Sequence, residues 1–138
     1  MVIPSLINRI VSGESPLVCW GDGTPVRDFI YAGDCAEGMI HMVENGVTQP
    51  VNLGSGNGVS IKEVAEAVRD NFNKKVKIVW DATKPKGDAL RLMDTTRAES
   101  YGFKCTTSLE SGVHETLDWF LQNRNLYKKR NNYFTQDK

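Results

Sequence analysis

The amino-acid sequence predicts an α/β fold made of helices and a few short strands. Several segments place apolar residues three and four positions apart, which is typical of helices packed on a core. Other segments are short apolar or alternating runs bounded by glycine and proline, which is typical of strands. With 138 residues, the chain has the size of one domain that buries its own core.

The first part of the chain predicts a helix, two strands and a second helix. The segment VIPSLINRIVSG carries Pro4 in its first turn and Gly13 at its end, as helices prefer. The runs PLVCW and RDFIY predict short strands that flank the turn GDGTP like a hairpin. Asp34 is the predicted N-cap of the helix CAEGMIHMVENG, which ends at Gly46.

The remaining elements follow from capping and turn signals. PVNLGSG predicts a strand that enters a glycine turn, and Ser60 with Glu63 forms a capping box before the third helix. KVKIVWD alternates like a half-buried strand, and TKPKGDALRLMD predicts a polar loop. TTRAESYGF predicts a short helix that ends at Gly102, and Thr107 with Glu110 predicts a second capping box before a last long helix.

Composition excludes several classes of partner and site. Seventeen basic and seventeen acidic residues balance, and the KKR run at 128–130 is interpreted as a solvated helix end, so no nucleic acid is expected. Cys19, Cys35 and Cys105 are odd in number and widely spaced, which predicts reduced thiols in a cytoplasmic protein without a zinc site. No apolar run reaches the length of about 18 residues that a membrane span needs, and no signal peptide is expected.

No catalytic, cofactor-binding or metal-binding residue is predicted in this chain. His41 and His114 lack partners at the spacing of a catalytic triad, and no Tyr-x-x-x-Lys pair occurs. No early strand leads through G-x-G-x-x-G into a helix. The turn GSGNG at 54–58 has no following lysine and is interpreted as an ordinary turn.

Four residues are candidates for binding a ligand. Trp20 offers a flat apolar face for a sugar or a base, and Arg27 offers a planar fork for phosphate oxygens. Arg91, with Lys84 nearby, gives a second positive position, and Arg9 on the first helix gives a third. From the residues alone, a packed indole and solvated arginines are the favoured interpretation, and ligand binding is the alternative.

The order of several motifs resembles extended short-chain dehydrogenase/reductases, and within them the GDP-L-fucose synthase family. The motifs are VIPSLINRI, WGDGTPVRDFIY, VNLGSGNGVSIKEVAEAV, KPKGDALRLMDTTRAESYGF and SLESGVHETLDWFLQN. The resemblance implies a small C-terminal substrate-binding lobe without a Rossmann domain at residues 1–123, followed by a polar helix end or tail at 124–138. The family's Rossmann glycines, its Tyr-x-x-x-Lys and its epimerisation Cys are expected upstream of residue 1.

The resemblance also implies a function and a set of site residues. The family converts GDP-4-keto-6-deoxy-mannose to GDP-L-fucose with NADPH, by epimerisation and then reduction. It places Arg9, Trp20, Arg27 and Arg91 at positions that bind the nucleotide diphosphate-sugar, whereas Met1 stands where the family has a catalytic His. The chain alone is therefore expected to bind no NADP(H), to be inactive, and to need a Rossmann lobe or self-association.

Two alternatives remain open at this point. Another nucleotide-sugar epimerase or dehydratase of the same superfamily would keep this lobe and change the base or the sugar. A stand-alone module that binds nucleotide-sugars without catalysis would have the same binding residues.

Overall fold

The computed structural model describes residues 2–72 and 75–128. Their order of elements is that of a mixed α/β protein, as the sequence predicts. The elements are α1 (Val2–Val11), β1 (Leu17–Trp20), β2 (Val26–Asp28), α2 (Ala32–Glu44), β3 (Gly58–Ser60), α3 (Ile61–Asp70), β4 (Ile78–Asp81), β5 (Leu90–Arg91), α4 (Thr96–Ser100), α5 (Leu109–Gln122) and α6 (Arg124–Lys128).

A large apolar cluster joins α1, α3, α5 and β1. The predicted apolar spacing puts one face of each helix into this cluster, so that Ile7, Val64 and Val68 have no exposed surface. Ser60 caps α3 in the predicted capping box with Glu63, which fixes where that helix begins. The buried members are Leu6, Ile7, Ile10, Leu17, Cys19, Val64, Ala65, Val68, Val76, Val113, Leu117 and Phe120.

The strands form two small sheets, and the predicted hairpin is wrong. β1 pairs in parallel with β4, whereas β2 lies in a second sheet of order β3-β2-β5. In that sheet β2 is antiparallel to β3 and parallel to β5. The turn between β1 and β2 therefore connects one sheet to the other, because β1 pairs with β4 and β2 pairs with β3 and β5.

A small apolar cluster joins α2 to α4 and the segment that follows α4. Its buried members are Met42, Ala98 and Phe103. The prediction that Asp34 caps α2 is wrong, since the helix begins three residues earlier than predicted, at Ala32, and its N-cap is Tyr31, which makes no side-chain cap bond. Asp34 instead lies buried in the first turn of α2 and faces residues 105–107.

Three further boundaries differ from the prediction. Residues 51–57 contain no strand, and the strand that follows them is β3. The N-cap of α5 is Ser108, whose hydroxyl accepts from Ser111 N–H, rather than Thr107. The predicted polar loop contains the short strand β5, because the backbone at Leu90 and Arg91 pairs with β2.

Some sequence predictions concern residues outside the described part of the chain. Of the KKR run, residues 129 and 130 lie outside it, as does most of the predicted tail at 124–138. Across the described ranges, no helix has the length and hydropathy that a membrane span requires.

Candidate ligand-binding site

Two connecting segments run side by side between the two sheets. The first connector, residues 21–25, joins β1 to β2, and the second connector, residues 82–89, joins β4 to β5. Because β1 is parallel to β4 and β2 is parallel to β5, both connectors leave one sheet and enter the other in the same direction. Gly21 N–H donates to the Asp81 carbonyl (2.9 Å) and Val26 N–H donates to the Ala89 carbonyl (2.9 Å), at the two ends of the paired connectors.

Arg27 and Arg91 are partners across the parallel strands β2 and β5. Paired positions on neighbouring strands lie about 4.8 Å apart and point to the same face of the sheet. Arg27 Nη1 donates to the carbonyl of Val26 (2.7 Å). Within residues 2–72 and 75–128, neither guanidinium forms an ion pair with a carboxylate. The structure thus brings two of the predicted binding residues together.

Trp20 lies at the end of β1, where the first connector begins. The residue is 66% exposed, so its indole is not part of either apolar cluster. The ammonium of Lys84, from the second connector, lies 5.9 Å from the ring centroid, within the range of a cation–π contact. An indole that is exposed in this way has a surface free for an apolar ring of a ligand.

Arg9 is engaged within the protein. Its Nε donates to Glu14 Oε2 (2.6 Å), and its Nη2 donates to Glu14 Oε1 and to the carbonyl of Val18. The hydrogen bonds that Arg9 donates to the Glu14 carboxylate raise the pKa of Arg9 above its ordinary value. Because Val18 belongs to β1, these contacts attach α1 to the strand that carries Trp20.

Asp22 and Lys86 join the two connectors, and sequence reasoning did not identify either residue. Asp22 Oδ2 accepts from Lys86 Nζ at 2.8 Å. The hydrogen bonds from Lys86 and Thr24 hold the pKa of Asp22 far below its usual range. Opposite charges 64 positions apart give no signal in a sequence, because only the two sheet pairings bring the connectors together.

Two backbone N–H groups of the glycine turn at 54–58 are bonded to side chains of this chain. Asp28 Oδ1 accepts from the backbone N–H of Ser55 (2.8 Å) and from its hydroxyl (2.6 Å), and Ser55 Oγ accepts from Asn57 N–H (3.1 Å). These N–H groups are therefore not directed at a ligand. The geometry does not fit the diphosphate of a dinucleotide cofactor, which needs free N–H groups at a turn that opens a helix.

The histidines and Cys105 make structural contacts. His41 Nε2 lies 2.7 Å from the Tyr101 carbonyl, and His114 Nδ1 lies 3.2 Å from Asn71 Oδ1. Burial and the neighbouring Asp34 raise the pKa of the Cys105 thiol to about 11, so it is a poor nucleophile at neutral pH. Among the described residues, no three His, Cys, Asp or Glu side chains are grouped so as to hold a metal ion.

A polar groove of about 660 Å³ lies between α3 and residues 105–110, apart from the paired connectors. Glu63, Glu66, Asp70 and Glu110 are among its lining residues, so its charge is unfavourable for an anion. Trp20, Arg27 and Arg91 do not line it. The cationic surface at the connectors is therefore the better candidate for an anionic ligand.

Comparisons with known proteins show which family this chain resembles. Residues 1–54 match the model of the NAD dependent epimerase/dehydratase family. GDP-L-fucose synthase 1 of Arabidopsis thaliana is 36% identical over 127 residues, which are 88% of this chain and 39% of that protein.

Solved structures give the same result. A UDP-N-acetylglucosamine 4-epimerase from Methanobrevibacter ruminantium M1, in complex with UDP-N-acetylmuramic acid, is 30% identical, with a TM-score of 0.78 over 89% of this chain and 40% of that one. A GDP-L-fucose synthetase from Naegleria fowleri bound to NADP is 26% identical, with a TM-score of 0.75 over 91% of this chain and 41% of that one.

The class of protein to which these matches point is the NAD-dependent epimerase/dehydratase family, whose model matches residues 1–54. Within that family it is similar to the GDP-L-fucose synthases, which confirms the resemblance seen in its motifs. It spans about two fifths of their length, since it covers 39% of the Arabidopsis protein.

Proposed function

We propose that this chain is the part of a GDP-L-fucose synthase-like epimerase/reductase that binds the nucleotide diphosphate-sugar. The observation that carries the proposal is the pairing of Arg27 with Arg91 on one face of a sheet. Like charges directly opposite each other are unfavourable, and no carboxylate of the described residues compensates this pair. A diphosphate supplies the missing negative charge and suits the planar donors of two guanidinium groups.

Trp20 and Arg9 take different parts in the proposed site. Trp20 provides an exposed ring beside the connectors, where a sugar or a base can pack on the indole surface that Lys84 leaves open. Arg9 holds β1, and hence Trp20, in place through its bond to the Val18 carbonyl. In this proposal Arg9 stabilises the strand that carries Trp20, while Trp20, Arg27 and Arg91 touch the ligand.

The chemistry of the whole protein is proposed to depend on sequence beyond this lobe. The full-length reaction would convert GDP-4-keto-6-deoxy-mannose to GDP-L-fucose with NADPH in the cytoplasm. The chain alone is expected to bind no NADP(H) and to catalyse no turnover, because its residues include neither the family's Rossmann glycine pattern nor its Tyr-x-x-x-Lys pair, and Met1 stands at the position of the catalytic His. A Rossmann lobe, or a second copy, is the proposed partner of the exposed apolar face that Met39, Ile40 and Val43 form on α2.

Calorimetry with GDP, UDP and dTDP tests the proposed ligand. We expect GDP to bind most tightly, and Arg27→Ala to weaken binding about tenfold or more, as for a lost charged hydrogen bond. Arg69→Ala is the matched control, since Arg69 pairs with Asp70 on α3. Equal affinity for the three nucleotides would overturn the GDP assignment, and unchanged affinity of Arg27→Ala would overturn the site.

A UDP-sugar enzyme of the same family is the second candidate. It is favoured by the similarity to the UDP-N-acetylglucosamine 4-epimerase, which was solved with a UDP-sugar bound. Tighter binding of UDP than of GDP in the same titrations would select this candidate. A non-catalytic module is the other alternative, and it shares the expected lack of turnover. NADPH oxidation by the purified chain with a nucleotide-sugar would refute this module and the proposed lack of a catalytic centre together.

A further inference from the structure

We infer that the ion pair between Asp22 and Lys86 positions Arg27 for its ligand, by holding the second connector against the Arg27 guanidinium. Neither residue is among those proposed to touch the ligand. The inference rests on the proposed anion site at Arg27 and Arg91, and it assigns a role in that site to the paired connectors.

The carboxylate of Asp22 is oriented before it meets Lys86. Asp22 Oδ1 accepts from the backbone N–H of Thr24 (3.0 Å) and from its hydroxyl (2.6 Å). These bonds leave Oδ2 for Lys86 Nζ at 2.8 Å. Because its bonds to Thr24 already fix the Asp22 carboxylate, little further side-chain entropy is lost when it binds Lys86.

The backbones of the two connectors come into close contact at the same place. Gly21 has φ +79°, and a β-carbon there would lie only 2.7 Å from Lys86 Cβ. Only glycine permits both this backbone conformation and this approach. The ion pair therefore closes a contact in which the second connector lies directly on the first.

The residue after Lys86 transmits this contact to Arg27. Gly87 has φ +75°, and a β-carbon at Gly87 would lie 3.4 Å from Arg27 Nη2. Arg27 Nη1 donates to the Val26 carbonyl, so one nitrogen of the guanidinium is held by a hydrogen bond while the other lies beside Gly87. If the second connector moved away, the Arg27 side chain would have more rotamers available. Binding of the ligand would then cost more side-chain entropy.

The experiment compares Asp22→Asn with wild type, using inorganic pyrophosphate as the probe in calorimetry. If the ion pair positions Arg27, Asp22→Asn should bind pyrophosphate about threefold to fivefold more weakly, which is the effect expected of losing an exposed ion pair. A purely electrostatic role predicts the opposite, because Asp22→Asn removes a negative charge near an anion site. Unchanged or tighter binding would therefore overturn the inference.

Three further variants complete the test. Lys86→Met removes the pair and is expected to weaken binding to a similar or larger extent, whereas Lys86→Arg keeps the pair and is expected to restore most of the affinity. Asp70→Asn is the matched control, since it breaks the exposed pair between Arg69 and Asp70 (2.7 Å) on α3 and is expected to leave pyrophosphate binding unchanged.

A measurement without ligand separates this inference from the proposed function. The Nε–Hε signal of Arg27 in a ¹H–¹⁵N NMR spectrum is expected to shift in Asp22→Asn and Lys86→Met, and to stay in place in Asp70→Asn. An unmoved Arg27 signal overturns the positioning role even if pyrophosphate binds. A moved signal in a chain that binds no pyrophosphate supports the positioning role and refutes the anion site.

Discussion

The large and the small apolar clusters of this chain are built differently. In the large cluster, three helices bury their apolar faces against each other and against β1. In the small cluster, α2 buries Met42 against Ala98 and Phe103, while Met39, Ile40 and Val43 on its outer face are 56%, 59% and 78% exposed. The first cluster is assembled from several elements of the chain, whereas α2 is covered on one side only.

The helix ends show the same difference. The hydroxyls of Ser60 and Ser108 cap α3 and α5, which belong to the large cluster. The N-cap residues of α2 and α4, Tyr31 and Thr95, make no side-chain cap bond. Local signals and packing therefore support each other in the large cluster, and the small cluster depends more on its contacts with neighbouring segments.

Removing a buried side chain from each cluster is expected to give the largest effects. Ile7→Ala should lower the free energy of unfolding by about 3 kcal/mol, because Ile7 has no exposed surface and the closed cluster cannot refill the cavity. Met42→Ala should cost about 2 kcal/mol or less, since α2 can shift on its open side. Urea unfolding of both variants measures the difference, and an equal loss would contradict the contrast between the clusters.

Asp34 joins α2 to residues 105–107, the segment before α5, and its removal is expected to give the next largest effect. Burial opposes ionisation of Asp34, but hydrogen bonds from Cys105, Thr107 and Thr106 outweigh it and lower the pKa of the carboxyl. Asp34→Asn should lower the free energy of unfolding at pH 7 by about 2 kcal/mol, as for hydrogen bonds to a charged group.

The pH dependence gives this prediction its sign. A carboxyl whose pKa is lower in the folded state stabilises the fold above its unfolded pKa, about 4, and loses this contribution as pH falls through the folded value. The stabilities of wild type and Asp34→Asn should therefore converge in acid. Urea unfolding at several pH values measures this, and a constant difference down to acid pH would argue against ionised Asp34 as the acceptor.

A methyl group added to one helical glycine near each cluster should give a smaller and opposite pair of effects. A β-carbon at Gly38 of α2 would lie 2.8 Å from Phe103 Cε2, whereas one at Gly112 of α5 would lie 3.4 Å from Tyr31 Cδ2, an ordinary contact. Gly38→Ala should cost about 1 kcal/mol, because overpacking exceeds the gain in helix propensity. Gly112→Ala should raise the free energy of unfolding by about 0.5 kcal/mol. Thermal unfolding of both variants measures the two changes, and effects of the same sign would contradict the prediction.

Features that depend on local chemistry could be predicted from the sequence. The apolar spacing of α1 and α3 and the capping box at Ser60 were predicted and are present. The hairpin prediction failed, because adjacent strands β1 and β2 pair with distant segments instead of each other. Asp34 failed as a cap for a related reason, since its acceptors are used by a segment 71 to 73 positions away.

The candidate site shows the same limit. Trp20, Arg27 and Arg91 were selected by residue type and by family resemblance, but the register that pairs the two arginines is a property of the sheet. Asp22 and Lys86 gave no signal, because their contact requires both sheets to form first. Residue types thus indicate the chemistry of this site, and the long-range pairings determine its arrangement.

The smallest predicted contrast concerns the helix caps themselves. Ser60→Ala should lower the free energy of unfolding by about 1 kcal/mol, because it leaves the Glu63 N–H of α3 without its acceptor. Thr95→Ala should cost less than about 0.5 kcal/mol, since the Thr95 hydroxyl donates to Glu99 at the surface and caps no N–H. Urea unfolding measures both values, and a loss at Thr95 as large as at Ser60 would show that α4 depends on the side chain of its N-cap residue as strongly as α3 does.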